Sequence, residues 1–104
     1  MSAADLLKKL PAAFNPSEAS GMDCTLQFNC STPMHAVIKD GSCQLVDGTA
    51  ADADVAITME DDDMVALLKG DLNGMTAFMT GKLQVDGDLM LAQRIASIFD
   101  ASKL

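Results

Sequence analysis

The chain has 104 residues, 49% of them apolar, which is enough for one domain with a real core and no second one. Seven basic against fifteen acidic residues leave a net charge of −8. That argues against nucleic acid and disfavours anionic membrane surfaces, since both need clustered Lys or Arg.

Residues 2 to 10 read as a short helix with Ser2 as cap and Leu6, Leu7 and Leu10 on one side, ended or kinked by Pro11. Asn15-Pro16-Ser17 is a turn, followed by a helical turn from Glu18 to Ser20 that stops at Gly21. Cys24 to Cys30 alternates, with Cys24, Leu26, Phe28 and Cys30 facing one way: strand one. Strand two spans about Met34 to Lys39, and its parity is ambiguous because Val37 competes with Met34, Ala36 and Ile38. Asp40-Gly41 is a hairpin turn into strand three, Ser42 to Val46. Thr49 to Asp54 is a loop, and strand four, Val55 to Met59, points Val55, Ile57 and Met59 inward. Glu60 to Asp63 opens a helix, where four carboxylates complement the positive end of its dipole, and Met64, Leu67 and Leu68 form its apolar face. Leu72 to Thr80 is a short helix, Leu83 to Val85 strand five, and about Asp88 to Phe99 a last helix with Leu91, Ile95, Ile98 and Phe99 on one face. The expected fold is α+β: a single five-stranded sheet, an antiparallel meander of strands one to three plus strands four and five, covered on one face by helices.

The stretch from Leu68 to Ala92 carries the most information. Gly70, Gly74, Gly81 and Gly87 punctuate it, Met75, Phe78 and Met79 recur at helical spacing, and Lys82 to Asp86 alternates as a half-buried strand. Its order of acidic helix start (Asp61 to Asp63), Gly70, Phe78-Met79-Thr80-Gly81-Lys82-Leu83, Val85, Gly87 and Ala92 resembles the C-terminal half of the sterol-carrier-protein family of intracellular lipid carriers. Ala19-Ser20-Gly21-Met22, Val37 to Gly41 and Ala53 to Thr58 fall in the family's order, so the likeness runs over roughly Leu10 to Phe99. The resemblance implies an apolar tunnel between sheet and helices. Leu26, Phe28, Ile57, Met64, Leu68, Phe78, Met79, Leu83, Met90, Ile95, Ile98 and Phe99 are the residues expected to line it. Three departures stand out: Met34-His35-Ala36 where strand two of the family usually has a bulky aromatic, a short first helix, and an acidic rather than basic chain.

Stripes of this kind usually belong to a filled core. Eight Met, in a chain without Trp or Tyr, suit a wall that adapts to variable guests, or equally a Met-filled core. Burying a sixteen-carbon chain at about 0.8 kcal/mol per CH₂ gives roughly 12 kcal/mol gross. Subtracting about 4 to 6 kcal/mol for association and ordering leaves micromolar affinity.

Other constellations have simpler explanations. The acidic run Glu60 to Asp63 is a helix start, and Asp52-Ala53-Asp54 lacks the Gly and Glu of a calcium loop. Cys24 and Cys30 sit about 20 Å apart on one strand and cannot share an ion, so no metal and no cofactor are expected. Gly74 to Lys82 has the wrong spacing for a phosphate loop, and no nucleophile-elbow pattern is present. An odd count of three cysteines fits reduced intracellular thiols.

The chain is therefore expected to be a non-enzymatic, monomeric lipid carrier. Its partners are a long-chain fatty acid or other elongated lipid (a sterol or acyl-CoA included), with no nucleic acid and no stable membrane insertion. The early acid and base of the N-terminus do not suit a secretory signal. Ser102-Lys103-Leu104 has the form of a peroxisomal address read by an import receptor, which places the chain in the peroxisomal matrix, with a cytoplasmic pool. The alternative is an interaction or dimerisation module of the same fold with a filled core, docking to peroxisomal enzymes. A small enzyme using a Cys, His35 and an Asp is the remote third reading.

Overall fold

The computed structural model describes residues 3–17, 21 and 23–100, without the side chains of residues 93 and 95–97. The elements run α1 (Ala3–Leu7), α2 (Leu10–Ala13), β1 (Cys24–Asn29), β2 (Met34–Lys39), β3 (Ser42–Asp47), β4 (Val55–Thr58), α3 (Asp61–Lys69), α4 (Gly74–Met79), β5 (Gln84–Gly87) and α5 (Leu89–Ile98). The five strands form one mixed sheet in the order β3-β2-β1-β4-β5. β1 pairs antiparallel with β2 and parallel with β4, and β5 closes the far edge antiparallel to β4.

One face of the sheet is apolar. Leu26 and Phe28 stand opposite Ala36 and Met34 on one side and beside Val55 and Ile57 on the other, all buried. This settles the parity of β2: Met34, Ala36 and Ile38 face the core, and Val37 does not. The Asp40-Gly41 turn has positive φ at both residues, 54° and 75°, the geometry that a two-residue hairpin requires. Pro11 does not end the first helix. It sits in the first turn of α2, where its missing N–H would have no partner in any case. The caps proposed at Ser2 and the turn at Glu18 to Ser20 lie outside the described residues.

The helices pack on the apolar face. α2 lies against β3, α1 against α3, and α5 against β4 and β5. Leu6, Leu7 and Leu10 are fully buried in the common core with Leu26, Phe28, Met34, Met64 and Ile98. Phe14 and Phe99 form an isolated bridge and stack as a tilted ring pair at 6.0 Å, which ties the segment after α2 to the end of α5.

The opposite face of the sheet is polar, with one buried exception. Alternation with Leu26 and Phe28 puts Gln27 on this back face, yet it is 2% exposed. Its Oε1 accepts from Ala50 N–H at 2.7 Å, and its Nε2 donates to Met34 O and Asn29 Oδ1, each at 3.2 Å. The side chain thus pins the β3–β4 loop over the back of the sheet, and the loop in turn buries it. A buried amide with these partners is fully compatible with a stable fold.

Candidate functional site

The helices do not cover the apolar face evenly. Toward β4 and β5 they leave a pocket of about 570 Å³. Its floor is Ile57 of β4 and Val85 of β5, and its walls come from the end of α3 (Leu67, Leu68, Gly70), from Leu72 to Phe78 around α4, from Leu83, and from Leu89, Ala92 and Phe99 along α5. The volume lies within the range of small-ligand sites.

The local sequence explains this wall. α3 ends at Gly70 with φ 84°, and the backbone N–H groups of Gly70 and Asp71 reach back to Leu67 O and Ala66 O. That left-handed stop ends α3 and sends the chain into the short segment before α4. Asn73 then caps α4: its Oδ1 accepts from Met75 N–H at 2.9 Å and Thr76 N–H at 3.2 Å. Asp88 does the same for α5 with Met90 and Leu91 N–H, at 3.0 and 3.2 Å. Two separately capped helices therefore supply part of the wall.

The wall is almost wholly apolar. Among the described lining residues Asn73 is the one with a polar side chain, and its oxygen is engaged by the α4 cap. None of the described lining residues is charged. The arrangement offers an apolar ligand a dry surface and offers a charged group no partner.

Of the residues expected to line a cavity, Ile57, Leu68, Phe78, Leu83 and Phe99 do so. Leu26, Phe28, Met64 and Ile98 are instead fully buried in the filled part of the core. Met79 and Met90 are 78% and 77% exposed and do not line the pocket. The side chain of Ile95 lies outside the described residues. Sequence reading did not single out Leu67, Leu72, Met75, Val85, Leu89 and Ala92 as lining. Phe99 has two duties, since it lines the pocket yet is only 4% exposed and stacks on Phe14. It is as much core as wall, so truncating it is expected to cost stability as well as ligand contact.

The remaining reactive groups do not converge. Cys24, Ile38 and Cys43 form one row on the core side of the sheet, whereas His35 pairs with Gln27 on the back, its Nδ1 3.0 Å from Gly48 O. Burial pushes the thiols of Cys24 and Cys43 up from 9.0 to about 11, with Asp54 and Asp23 adding to the effect at Cys24. Both stay protonated at neutral pH, which removes their nucleophilic form. The Cys–His arrangement considered from sequence is therefore not assembled by these two cysteines.

Residues 3–100 match the SCP-2 sterol transfer family. Over 61 residues the chain is 43% identical to the oleate-induced peroxisomal protein POX18 of Candida maltosa, an alignment covering 59% of this chain and 48% of that one. Over 61 residues it is 36% identical to sterol carrier protein 2 of Bos taurus, covering 59% of this chain but 11% of the relative. The chain thus spans about half or less of these curated relatives. Its fold is similar to that of palmitated SCP2L2 from Aedes aegypti, with a TM-score of 0.72 at 24% identity over 94% of each chain.

Proposed function

The chain belongs to the SCP-2 sterol transfer family, and on that premise we propose that it binds an elongated lipid in the pocket between β4–β5 and helices α3 to α5 and carries it without catalysis. The observation that carries this reading is the pocket itself, about 570 Å³ of apolar space with no charged residue among the described residues of its wall. A well-packed core leaves few voids larger than a water molecule, so the filled-core module of the same fold fits this chain poorly. The tunnel expected from the family likeness is read here as this pocket, extended once a chain enters it.

The wall also selects the kind of lipid. A fatty acyl chain or sterol nucleus suits it, while a carboxylate or phosphate would lose hydration inside and gain no cation. The ligand's tail therefore lies within, and a charged headgroup stays at the mouth. Acyl-CoA fits least well, because its phosphates call for Lys or Arg. The non-enzymatic reading is supported by the protonated thiols and by their separation from His35. The protein acts as a monomer in this reading.

Native mass spectrometry of gently extracted protein tests the pocket's occupancy. A co-purifying lipid mass is expected, and a clean apo mass in every preparation contradicts it. The peroxisomal reading takes its support from the name of the Candida relative. Ser102, Lys103 and Leu104 lie outside the described residues, and their role as the address read by an import receptor is part of the proposal. Deleting Leu104 from an N-terminally tagged protein is expected to move it from peroxisomes to cytosol with lipid affinity unchanged. An intact protein that stays cytosolic in cells with working import would remove the localisation and leave the pocket untouched.

A further inference from the structure

The side-chain oxygen of Asn73 accepts from Met75 and Thr76 N–H, at 2.9 and 3.2 Å. Both partners are donors, so the amide has one permitted orientation: turned round, its NH₂ would face two N–H groups. The cap therefore fixes the other end of the same group. Nδ2 carries two N–H donors and meets no acceptor among the described residues. Capping alone does not call for these donors, since Asp and Ser cap a helix as well as Asn does.

Asn73 also stands where the polar end of a lipid belongs. The lining residues divide by exposure. Ile57, Leu68, Leu83 and Phe99 are buried and form the inner part of the pocket, while Asn73, Met75, Phe78 and Leu89 are exposed and form the outer part. A lipid entering such a site sets its hydrocarbon among the buried residues. Its oxygen function stays in the outer part, because a buried polar group without a partner costs free energy. There the amide of Asn73 is the one polar side chain that the described wall offers. An amide NH₂ is a donor without charge. It matches a carbonyl oxygen in full, whereas it gives a carboxylate a hydrogen bond but no countercharge, on a chain of net charge −8.

We propose that Asn73 reads the polar end of the bound lipid: Nδ2 donates to the carbonyl oxygen of an uncharged fatty acyl ester, while Oδ1 holds the amide in place through the first turn of α4. The proposal rests on the pocket reading and adds to it the chemical class of the headgroup, an uncharged acceptor. Asn73 thus joins a structural task to a specificity task, and the two can be separated by substitution.

Asn73→Asp separates them. Asp caps as well as Asn, but it puts an acceptor oxygen in place of the two donors. The lipids to compare are methyl hexadecanoate and hexadecanol, each displacing the fluorescent hydrocarbon diphenylhexatriene from delipidated protein. The ester can only accept a hydrogen bond, whereas the alcohol can also donate one. Wild type is expected to bind both. In the variant, affinity for the ester should fall about tenfold relative to the alcohol, the order expected for one hydrogen bond withdrawn, and the melting temperature should stay close to that of wild type. Neither lipid is charged, so repulsion between like charges does not enter the comparison. Damage to the wall would weaken both lipids alike and leave their ratio where it was. An ester-to-alcohol ratio equal to that of wild type would overturn the proposal and leave the pocket reading standing. Failure of both lipids to displace the probe from wild type would refute the pocket reading, and the proposal with it.

Discussion

Gly87→Ala is expected to lower stability by about 3 kcal/mol, a drop in Tm of about 12 to 24 °C for a domain of this size. Gly87 ends β5 opposite Val55 with φ 107°. A Cβ there would lie 2.5 Å from Asp54 O and 3.1 Å from Val55 Cα, both backbone atoms that cannot swing aside. The same carbonyl accepts from Asp88 N–H at 3.2 Å, so moving it also disturbs the start of α5. Gly48→Ala is the matched control. Its φ is 95° with nothing within 4 Å of an added Cβ, so it carries the conformational cost of about 1 to 2 kcal/mol and no clash. Thermal melting of the two variants checks the difference. Equal melting temperatures would mean that the backbone around Asp54 is not packed as described.

Ala92→Trp is expected to weaken lipid binding by about two orders of magnitude while the protein keeps or gains thermal stability. Ala92 projects from α5 into the pocket, where an indole would occupy space the ligand needs. Excluding about four methylenes at roughly 0.8 kcal/mol each corresponds to about a two-hundredfold loss of affinity. Filling an empty apolar site commonly stabilises a fold. A filled core predicts the reverse, since overpacking costs about 1 to 3 kcal/mol. Measuring affinity and melting on one variant therefore separates a ligand site from a core. A destabilised Ala92→Trp with unaltered affinity would favour the filled core.

The sheet was readable because its code is local. Leu26 and Phe28 alternate with polar neighbours, Asp40-Gly41 dictates a tight turn, and Gly70 and Gly81 stop helices at sites visible in the chain. The pocket was less readable because its code is not local. Periodicity says that Phe28, Met64 and Ile98 face inward, but not that α1 and α2 fill the space above β1 to β3 with Leu6, Leu7 and Leu10. That docking turns these three expected lining residues, and Leu26 with them, into core. It leaves the space near β5 open, so Val85, Leu72 and Leu89, which read as minor members of short elements, become wall. Met79 and Met90 share helices with lining residues, but each helix is too short to bury its whole apolar surface. Gln27 shows the same limit on the other face, where a loop distant in sequence buries a side chain that alternation assigns to solvent.

A competition titration on delipidated protein tests the central claim most directly. A fluorescent long-chain fatty acid should bind saturably at micromolar or tighter affinity, as about 12 kcal/mol of chain burial less the cost of association implies. Unlabelled fatty acid should displace it completely. Absence of saturable, displaceable binding for fatty acids, sterols and acyl-CoA alike would contradict the account of this pocket as a lipid site.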